Sequence, residues 1–253
     1  MGLRSAARGT KTRPTFDAAT HNYPSWSADG SRVAFASFSG PAAGAAIGSS
    51  LHAKASNGTG GDELVLPSEG GIGLAYPQWS PDGRYLIYER ASGPTGAAIW
   101  AMPLTGDKKP IPAAQPQSPQ TSVFSARISP DGRWLAYTSN DSGRAEVYVT
   151  PFPGGGGRWQ ISTNGGDAAT WRRDGKELYY WANDQMLTAV EVRPQASEFQ
   201  VGAARPLFRL SSPALGMAYD VTPDGQRFLV NYMPEDTSTP LTLVVNWTAE
   251  VKK

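Results

Sequence analysis

A short motif ending in Asp-Gly recurs five times along this chain, and this repetition limits the folds that the chain can adopt. The five copies end at Asp29-Gly30, Asp82-Gly83, Asp131-Gly132, Asp174-Gly175 and Asp224-Gly225. A run of alternating apolar residues follows each copy. Asp-Gly between two apolar runs is a strong hairpin signal, because glycine takes a positive φ without steric cost. The sequence therefore predicts five similar β-hairpins.

The spacing of the motif predicts how these hairpins are organised. The five aspartates are 43 to 53 residues apart, and a period near this length is typical of a β-propeller with four strands per blade. We predict an all-β propeller of five four-stranded antiparallel blades, forming a single domain over residues 12–248. Residues 1–11 are predicted to be frayed or disordered, and residues 249–253 to form a tail.

Two proline-containing segments raise questions about individual strands. The stretch from Pro110 to Pro119 is proline-rich and predicts an extended polyproline II crossing. No fourth strand follows Leu241–Trp247, whereas Thr12–Phe16 resembles a spare outer strand. We predict that Thr12–Phe16 closes the last blade and removes an exposed edge. The alternative is an open fragment of a larger ring.

Composition excludes several classes of function. The 253 residues carry a formal net charge of +1, which gives no basic face for nucleic acid. The chain has no cysteine, so thiol nucleophiles and cysteine-ligated zinc are excluded. No apolar run is long enough for a transmembrane helix, so no membrane insertion is predicted. The N-terminus lacks the apolar core of a signal peptide, and the compartment stays undetermined.

The chemistry-bearing residues do not form a recognisable catalytic set. The repeated aspartates occupy one structural position, so we expect each to cap its own turn through side-chain-to-backbone hydrogen bonds. Of the two histidines, His52 aligns with Trp100 and Tyr148 in the third strands, and His21 lies in the loop entering the first strand. No Gly-x-Ser-x-Gly nucleophile motif is present. We predict no catalytic residue, no metal site and no cofactor.

Two columns of residues recur in the first strand of each repeat. Trp26, Trp79 and Trp171 share a position with Ile128 and Val221, which indicates core packing.

The preceding position is polar in every repeat, and it holds Ser25, Gln78, Arg127, Thr170 and Asp220. Buried polar groups need partners or water, so this column predicts a wet central channel, with or without a ligand. Arg127 and Asp220 are the members best able to hold a charged ligand. The loop residues predicted to surround one mouth of the channel are His21, Tyr23, Tyr76 and Phe124.

The repeat also resembles a known family. Trp79-Ser80-Pro81-Asp82-Gly83-Arg84, followed by an aliphatic–aromatic strand, resembles the TolB-like, WD-related bacterial propeller repeat. Four segments are similar to the C-terminal propeller regions of bacterial eukaryotic-like serine/threonine kinases: Ser129–Tyr137, Glu146–Val149, Trp171–Leu178 and Leu243–Trp247. The resemblance implies a non-catalytic sensing or docking domain, and relatives are often periplasmic or extracytoplasmic. The kinase sequence motifs themselves are absent from this chain.

Three functions remain open at this point. The first is a non-catalytic, monomeric binding or scaffold module that presents a loop face and a central channel to a protein or small-molecule partner. The second is the regulatory, substrate-gating propeller of a larger hydrolase or kinase. The third is a metal-dependent propeller enzyme, for which the polar column offers Asp220 as its one acidic member. The fold alone does not choose among them.

Overall fold

The computed structural model describes residues 3–4, 11–12, 15, 19–38, 48–68, 71–91, 96–195, 198–210, 219–231 and 242–245. All regular secondary structure in these ranges is β-strand. We find no helix in them with the length and apolarity needed to cross a membrane. The chain divides into two compact units, Met1–Ser122 and Val123–Lys253.

The first unit contains a two-stranded ribbon and two antiparallel sheets of four strands within its described residues. The ribbon pairs β1 (Leu3–Arg4) with β2 (Lys11–Thr12). The first sheet contains, in order, β3 (Thr20–Trp26), β4 (Arg32–Phe38), β5 (Ser49–Ala55) and β6 (Glu63–Leu66). The second sheet contains, in order, β7 (Gly73–Trp79), β8 (Tyr85–Ala91), β9 (Ala97–Pro103) and β10 (Ile111–Ala114).

The second unit continues the same plan. The third sheet contains, in order, β11 (Val123–Ile128), β12 (Trp134–Ser139), β13 (Glu146–Pro151) and β14 (Trp159–Gln160). The fourth contains β15 (Gly166–Trp171), β16 (Glu177–Ala182), β17 (Met186–Pro194) and β18 (Phe199–Arg209). The fifth contains β19 (Tyr219–Val221), β20 (Arg227–Val230) and β21 (Thr242–Val245). Each repeat thus forms its own sheet, which confirms the all-β class and the four-stranded antiparallel blade.

The Asp-Gly turn between the first two strands is built alike in each sheet. In the first, the Ser27 hydroxyl donates to Asp29 Oδ1 at 2.6 Å, and the Ser31 N–H donates to the same oxygen at 3.0 Å. In the fourth, Arg172 replaces the serine and donates Nε and Nη2 to the two oxygens of Asp174, both at 2.8 Å. The five motif glycines have φ between 69° and 73°. The aspartates therefore cap their own turns, as predicted.

We expect these turns to make the fold sensitive to acid. Partial burial opposes the shift, but hydrogen bonds from Ser80 and Arg84 lower the pKa of Asp82 from 3.8 to about 2. The hydrogen bonds in the first turn likewise lower the pKa of Asp29 to about 2. A carboxylate with a lowered pKa stabilises the folded state above pH 3.8, and this stabilisation is lost as the pH falls toward 2. The urea midpoint, measured from pH 5 to pH 2, should fall steeply in that window.

The Asp82→Asn variant should be less stable than the wild type at pH 5 and should lose less on acidification. Asp107→Asn, at an exposed carboxylate, is the matched control and should follow the wild-type curve. A wild-type midpoint that stays constant between pH 4 and pH 2 would contradict this prediction.

The cores lie between adjacent sheets within each unit. Trp79 is 8% exposed and packs with Leu51 and Leu86 between the first and second sheets. Trp171 is 7% exposed and packs with Val149 between the third and fourth sheets. The predicted packing role is thus confirmed for these two tryptophans.

The same prediction is wrong for Trp26, which is 48% exposed. Within the described part of the first unit, no sheet packs against the face of the first sheet that carries this side chain.

The prediction of a polyproline II crossing over Pro110–Pro119 is wrong in part. Residues Ile111–Ala114 form β10, which pairs with β9 as the fourth strand of the second sheet. Pro112 lies opposite Trp100 in this pairing. An edge strand tolerates proline, because a missing N–H on its outer side breaks no hydrogen bond of the sheet.

Ring closure stays a prediction. Lys11–Thr12 pairs with Leu3–Arg4, whereas most of Thr12–Phe16 and part of Leu241–Trp247 lie outside the described residues. The five-blade count, the single domain over residues 12–248 and the terminal segments 1–11 and 249–253 also stay predictions.

Candidate functional site

The five polar residues of the predicted site lie on the first strand of each sheet. They are Ser25 on β3, Gln78 on β7, Arg127 on β11, Thr170 on β15 and Asp220 on β19. The first four are half-buried and Asp220 is exposed. Their equivalent positions confirm the repeat alignment, while the channel that they were predicted to line stays a prediction.

A β-bulge precedes each of the first four polar residues, and the sequence did not reveal it. The pairing register of the first strand shifts just before Ser25, Gln78, Arg127 and Thr170. Two residues before each of them, a non-glycine residue adopts the left-handed conformation: Tyr23 (φ 56°), Tyr76 (φ 50°), Ser125 (φ 54°) and Ala168 (φ 54°).

This conformation costs about 1–2 kcal/mol per residue for a side chain with a Cβ. Such strain concentrates at ligand clamps and active sites, and bulges there re-aim side chains. The four bulges therefore mark the first strands as the candidate site. Tyrosine, serine and alanine do not favour positive φ, so the residue types at these positions did not predict the bulges.

In the first unit the bulges bring two predicted mouth residues together. The rings of Tyr23 and Tyr76 lie 4.0 Å apart between centroids, with their planes inclined at 35°. Tyr23 also makes an edge contact with Phe38 at 6.3 Å. Both tyrosines are half-buried, and Tyr23 packs against the core between the first and second sheets.

The histidines take packing positions. His21 lies within β3 rather than in the predicted loop, and its ring meets Phe35 edge-on at 4.9 Å. His52 stacks on the same phenylalanine at 5.8 Å, with an interplanar angle of 16°. The Ser50 hydroxyl lies 2.9 Å from His52 Nε2. Both histidines thus contact the core residue Phe35, which is 1% exposed.

Backbone carbonyls near the bulges are anchored by the neighbouring sheet. Trp79 Nε1 donates to the carbonyl oxygen of Ser25 at 3.2 Å, and Trp171 Nε1 donates to that of Arg127 at 3.1 Å. These bonds hold the polar column through its backbone.

In the second unit a buried hydroxyl lies among the predicted charged residues. Tyr219 donates to the carbonyl oxygen of Ala168 at 2.8 Å. Burial raises the pKa of Tyr219 above its ordinary value of 10, while the Thr170 hydrogen bond and the Arg127 charge oppose the rise and Asp220 adds to it. The hydroxyl therefore stays protonated at neutral pH. The structure thus brings Arg127, Thr170 and Asp220 within electrostatic range of one phenol.

The remaining predicted residues have simpler surroundings. Phe124 is half-buried on β11 beside the bulge residue Ser125. Arg127 Nη1 donates to the carbonyl oxygen of Ala126 at 3.1 Å, and Asp220 Oδ1 accepts the Val221 N–H at 2.8 Å. Among the residues that the structure describes, no three His, Cys, Asp or Glu side chains are placed to share a metal ion. The predicted residues of the two units offer aromatic rings, hydroxyls, an amide, one cation and one anion, which are groups suited to binding.

We compared the sequence and the structure of this chain with those of known proteins. No protein-family model matches the chain. The Tol-Pal system protein TolB of Anaeromyxobacter dehalogenans (strain 2CP-C) is 33% identical over 101 residues, which are 39% of this chain and 21% of the relative. The crystal structure of TolB from Acinetobacter baumannii matches with a TM-score of 0.69 at 19% identity, covering 97% of this chain and 56% of that one. The fold is a TolB-like β-propeller.

Similar folds also occur in enzymes. An oligogalacturonate lyase solved in complex with manganese matches with a TM-score of 0.71 at 14% identity, covering 96% of this chain and 69% of the lyase. This chain spans little more than half of the TolB structure that it matches. The shared fold therefore leaves both a binding role and a catalytic role to be argued from the site.

Proposed function

We propose that this chain is a non-catalytic, monomeric β-propeller module that binds a protein partner through the face carrying Tyr23 and Tyr76. The observation that carries the proposal is the contact between these two rings, each held by a strained bulge. Tyrosine is enriched in protein interfaces, where a rigid ring supplies contact area at low entropic cost. A strained backbone persists only where the surrounding structure holds it in place, and such positions cluster at functional sites.

The similarity to TolB supports a protein as the partner. The Anaeromyxobacter dehalogenans relative is named as a component of a Tol-Pal system, and we propose a partner of that kind for this chain. The resemblance to kinase-associated propellers adds a further proposal, in which the module senses or docks as part of a longer protein. A small ligand at Arg127 and Asp220 is compatible with the same role.

The test is a binding measurement with the Pal protein of the Anaeromyxobacter dehalogenans Tol-Pal system, using titration calorimetry. The variant Tyr23→Asn with Tyr76→Asn removes both rings, and asparagine tolerates the left-handed conformation better than most residues. We expect affinity to fall about 10-fold to 100-fold, since interface tyrosines often contribute 2 kcal/mol or more. Leu64→Ala, at an exposed residue of the same unit, is the control and should bind like the wild type.

Equal binding by the double variant and the wild type would contradict the tyrosine face. The enzymatic alternatives have their own test, in which the isolated chain is incubated with oligogalacturonate and manganese and with peptide substrates. We expect no turnover. Turnover that is abolished by changing His21 or Asp220 would overturn the non-catalytic proposal.

A further inference from the structure

A cleft in the second unit lies between two neighbouring Asp-Gly turns, and none of the five polar-column residues lines it. Its walls come from the β11–β12 turn, the β15–β16 turn and the end of β17, and its volume is about 580 Å³. Ligand sites in proteins typically occupy about 300–1,000 Å³. The cleft is therefore large enough for several side chains of a partner.

One wall of the cleft is aromatic and rigid. Trp134 and Trp171 line it together with Pro194. Behind them, Phe199 packs against Trp134 at 5.0 Å and against Trp171 at 6.2 Å between ring centroids. Trp134 is 4% exposed, and its buried Nε1 has no hydrogen-bond partner among the described residues. Trp171 is 7% exposed, so the wall consists of the small exposed edges of two packed indoles, beside a buried donor that lacks an acceptor.

Four charged residues of the cleft form two ion pairs, and Arg172 also pairs with the buried Glu177 at 2.9 Å. Arg133 Nε lies 2.8 Å from Asp131 Oδ2. Arg172 makes a two-point contact with Asp174, with both bonds at 2.8 Å. The hydrogen bond from Arg172 lowers the pKa of Asp174, so this carboxylate is charged at neutral pH. These pairs fix the two turns that form the cleft.

Two further cationic residues of the cleft take part in no ion pair of the described residues. Lys176 and Arg193 line the cleft and are exposed. Within the described ranges neither side chain has an ion pair or hydrogen bond. Glu191 also lines the cleft, so the lining as a whole carries four cations against three anions. The N–H of Val192 donates to the carbonyl oxygen of Lys176 at 2.9 Å, which ties the turn carrying the lysine to β17.

We propose that this cleft binds an acidic peptide segment of a partner protein. Its carboxylates would contact Lys176 and Arg193, and an apolar side chain would pack against Pro194 and the exposed edges of Trp134 and Trp171. A free ammonium and a free guanidinium complement carboxylates directly. The charged rim is exposed, so the cleft is open on one side. Small-molecule pockets enclose most of their ligand, so this shape favours a peptide segment. The proposal does not depend on the tyrosine face, because different residues in a different unit carry it.

The experiment measures binding of a fluorescein-labelled peptide containing Asp-Glu-Phe-Asp-Glu by fluorescence anisotropy. We expect saturable binding that weakens at least tenfold when NaCl rises from 50 to 500 mM, because salt screens exposed charges. The variant Lys176→Ala with Arg193→Ala should bind about tenfold or more weakly. Arg173→Ala is the control, because it removes a neighbouring exposed cation that does not line the cleft. Its affinity should match that of the wild type.

A peptide in which Asn and Gln replace the acidic residues should not bind measurably. Equal affinity for the acidic and neutral peptides, no binding of either, or equal losses in the control and the double variant would each overturn the proposal. Competition by 3-phenylpropionate at the affinity of the peptide would overturn the assignment to a peptide segment. The protein–partner titration with Tyr23 and Tyr76 variants remains a separate measurement, so one proposal can fail while the other holds.

Discussion

Replacing Trp171 by alanine should lower the free energy of unfolding by about 3–5 kcal/mol, the usual cost of truncating a buried tryptophan. The side chain is 7% exposed and packs near Phe199 between the third and fourth sheets. Its Nε1 also donates to the carbonyl oxygen of Arg127, so the variant leaves a cavity and removes the partner of that carbonyl. Chemical denaturation by urea, followed by far-ultraviolet circular dichroism, measures the change.

Trp26→Ala is the matched control, since it removes the same side chain from the same repeat position. Because Trp26 is 48% exposed, we expect a loss of about 1 kcal/mol or less. Equal losses at Trp26 and Trp171 would show that exposure does not distinguish the two positions and would contradict this account.

Replacing Glu146 by leucine should cost about 3 kcal/mol or more, which is the second large effect. Glu146 is 1% exposed. Its Oε1 accepts the Gly165 N–H at 2.9 Å and Arg144 Nε at 2.7 Å, and its Oε2 accepts the Ser162 hydroxyl. Leucine leaves the buried Gly165 and Ser162 donors without an acceptor, at about 1–3 kcal/mol each. The carboxylate therefore fixes the segment between β14 and β15 onto β13.

Two further variants separate this network from a general effect of charge removal. Glu146→Gln keeps one oxygen acceptor and should lose less stability than the leucine variant. Glu191→Gln, at an exposed glutamate on β17, should stay within about 0.5 kcal/mol of the wild type. If both Glu146 variants were as stable as Glu191→Gln in the same denaturation experiment, the network would contribute nothing measurable.

The features that could be predicted from the sequence are those decided by local chemistry. The second strand of the first sheet, Arg32–Phe38, coincides with the apolar run predicted to follow the first Asp-Gly turn. The Asp-Gly turns are predictable because glycine adopts a positive φ and because the aspartate carboxylate accepts the N–H of the residue two positions later. The polar column was identified from the sequence because it occupies the same position relative to the Asp-Gly motif in every repeat.

The features that were missed depend on contacts between distant parts of the chain. Residues Ile111–Ala114 form a strand because they pair with the backbone of β9. The proline content of the segment gives no information about this pairing. The exposure of Trp26 depends on what covers its sheet, whereas its sequence context is closely similar to that of Trp79. The cleft joins Arg133, Lys176 and Arg193, which come from three separate elements.

The indole-to-carbonyl bonds between neighbouring sheets also bear on how such a chain can lengthen. Each bond uses a tryptophan donor from one repeat and the backbone acceptor of the repeat before it: Trp79 to Ser25 and Trp171 to Arg127. An acceptor on the backbone is supplied by any amino acid, so a duplicated copy of a repeat with tryptophan at this position carries both donor and acceptor without further substitutions. Gene duplication in whole repeats therefore preserves every such junction, whereas a duplication that begins between the two halves of a repeat creates a mismatched one. Growth by whole units is the evolutionary route that this bonding pattern permits at least cost.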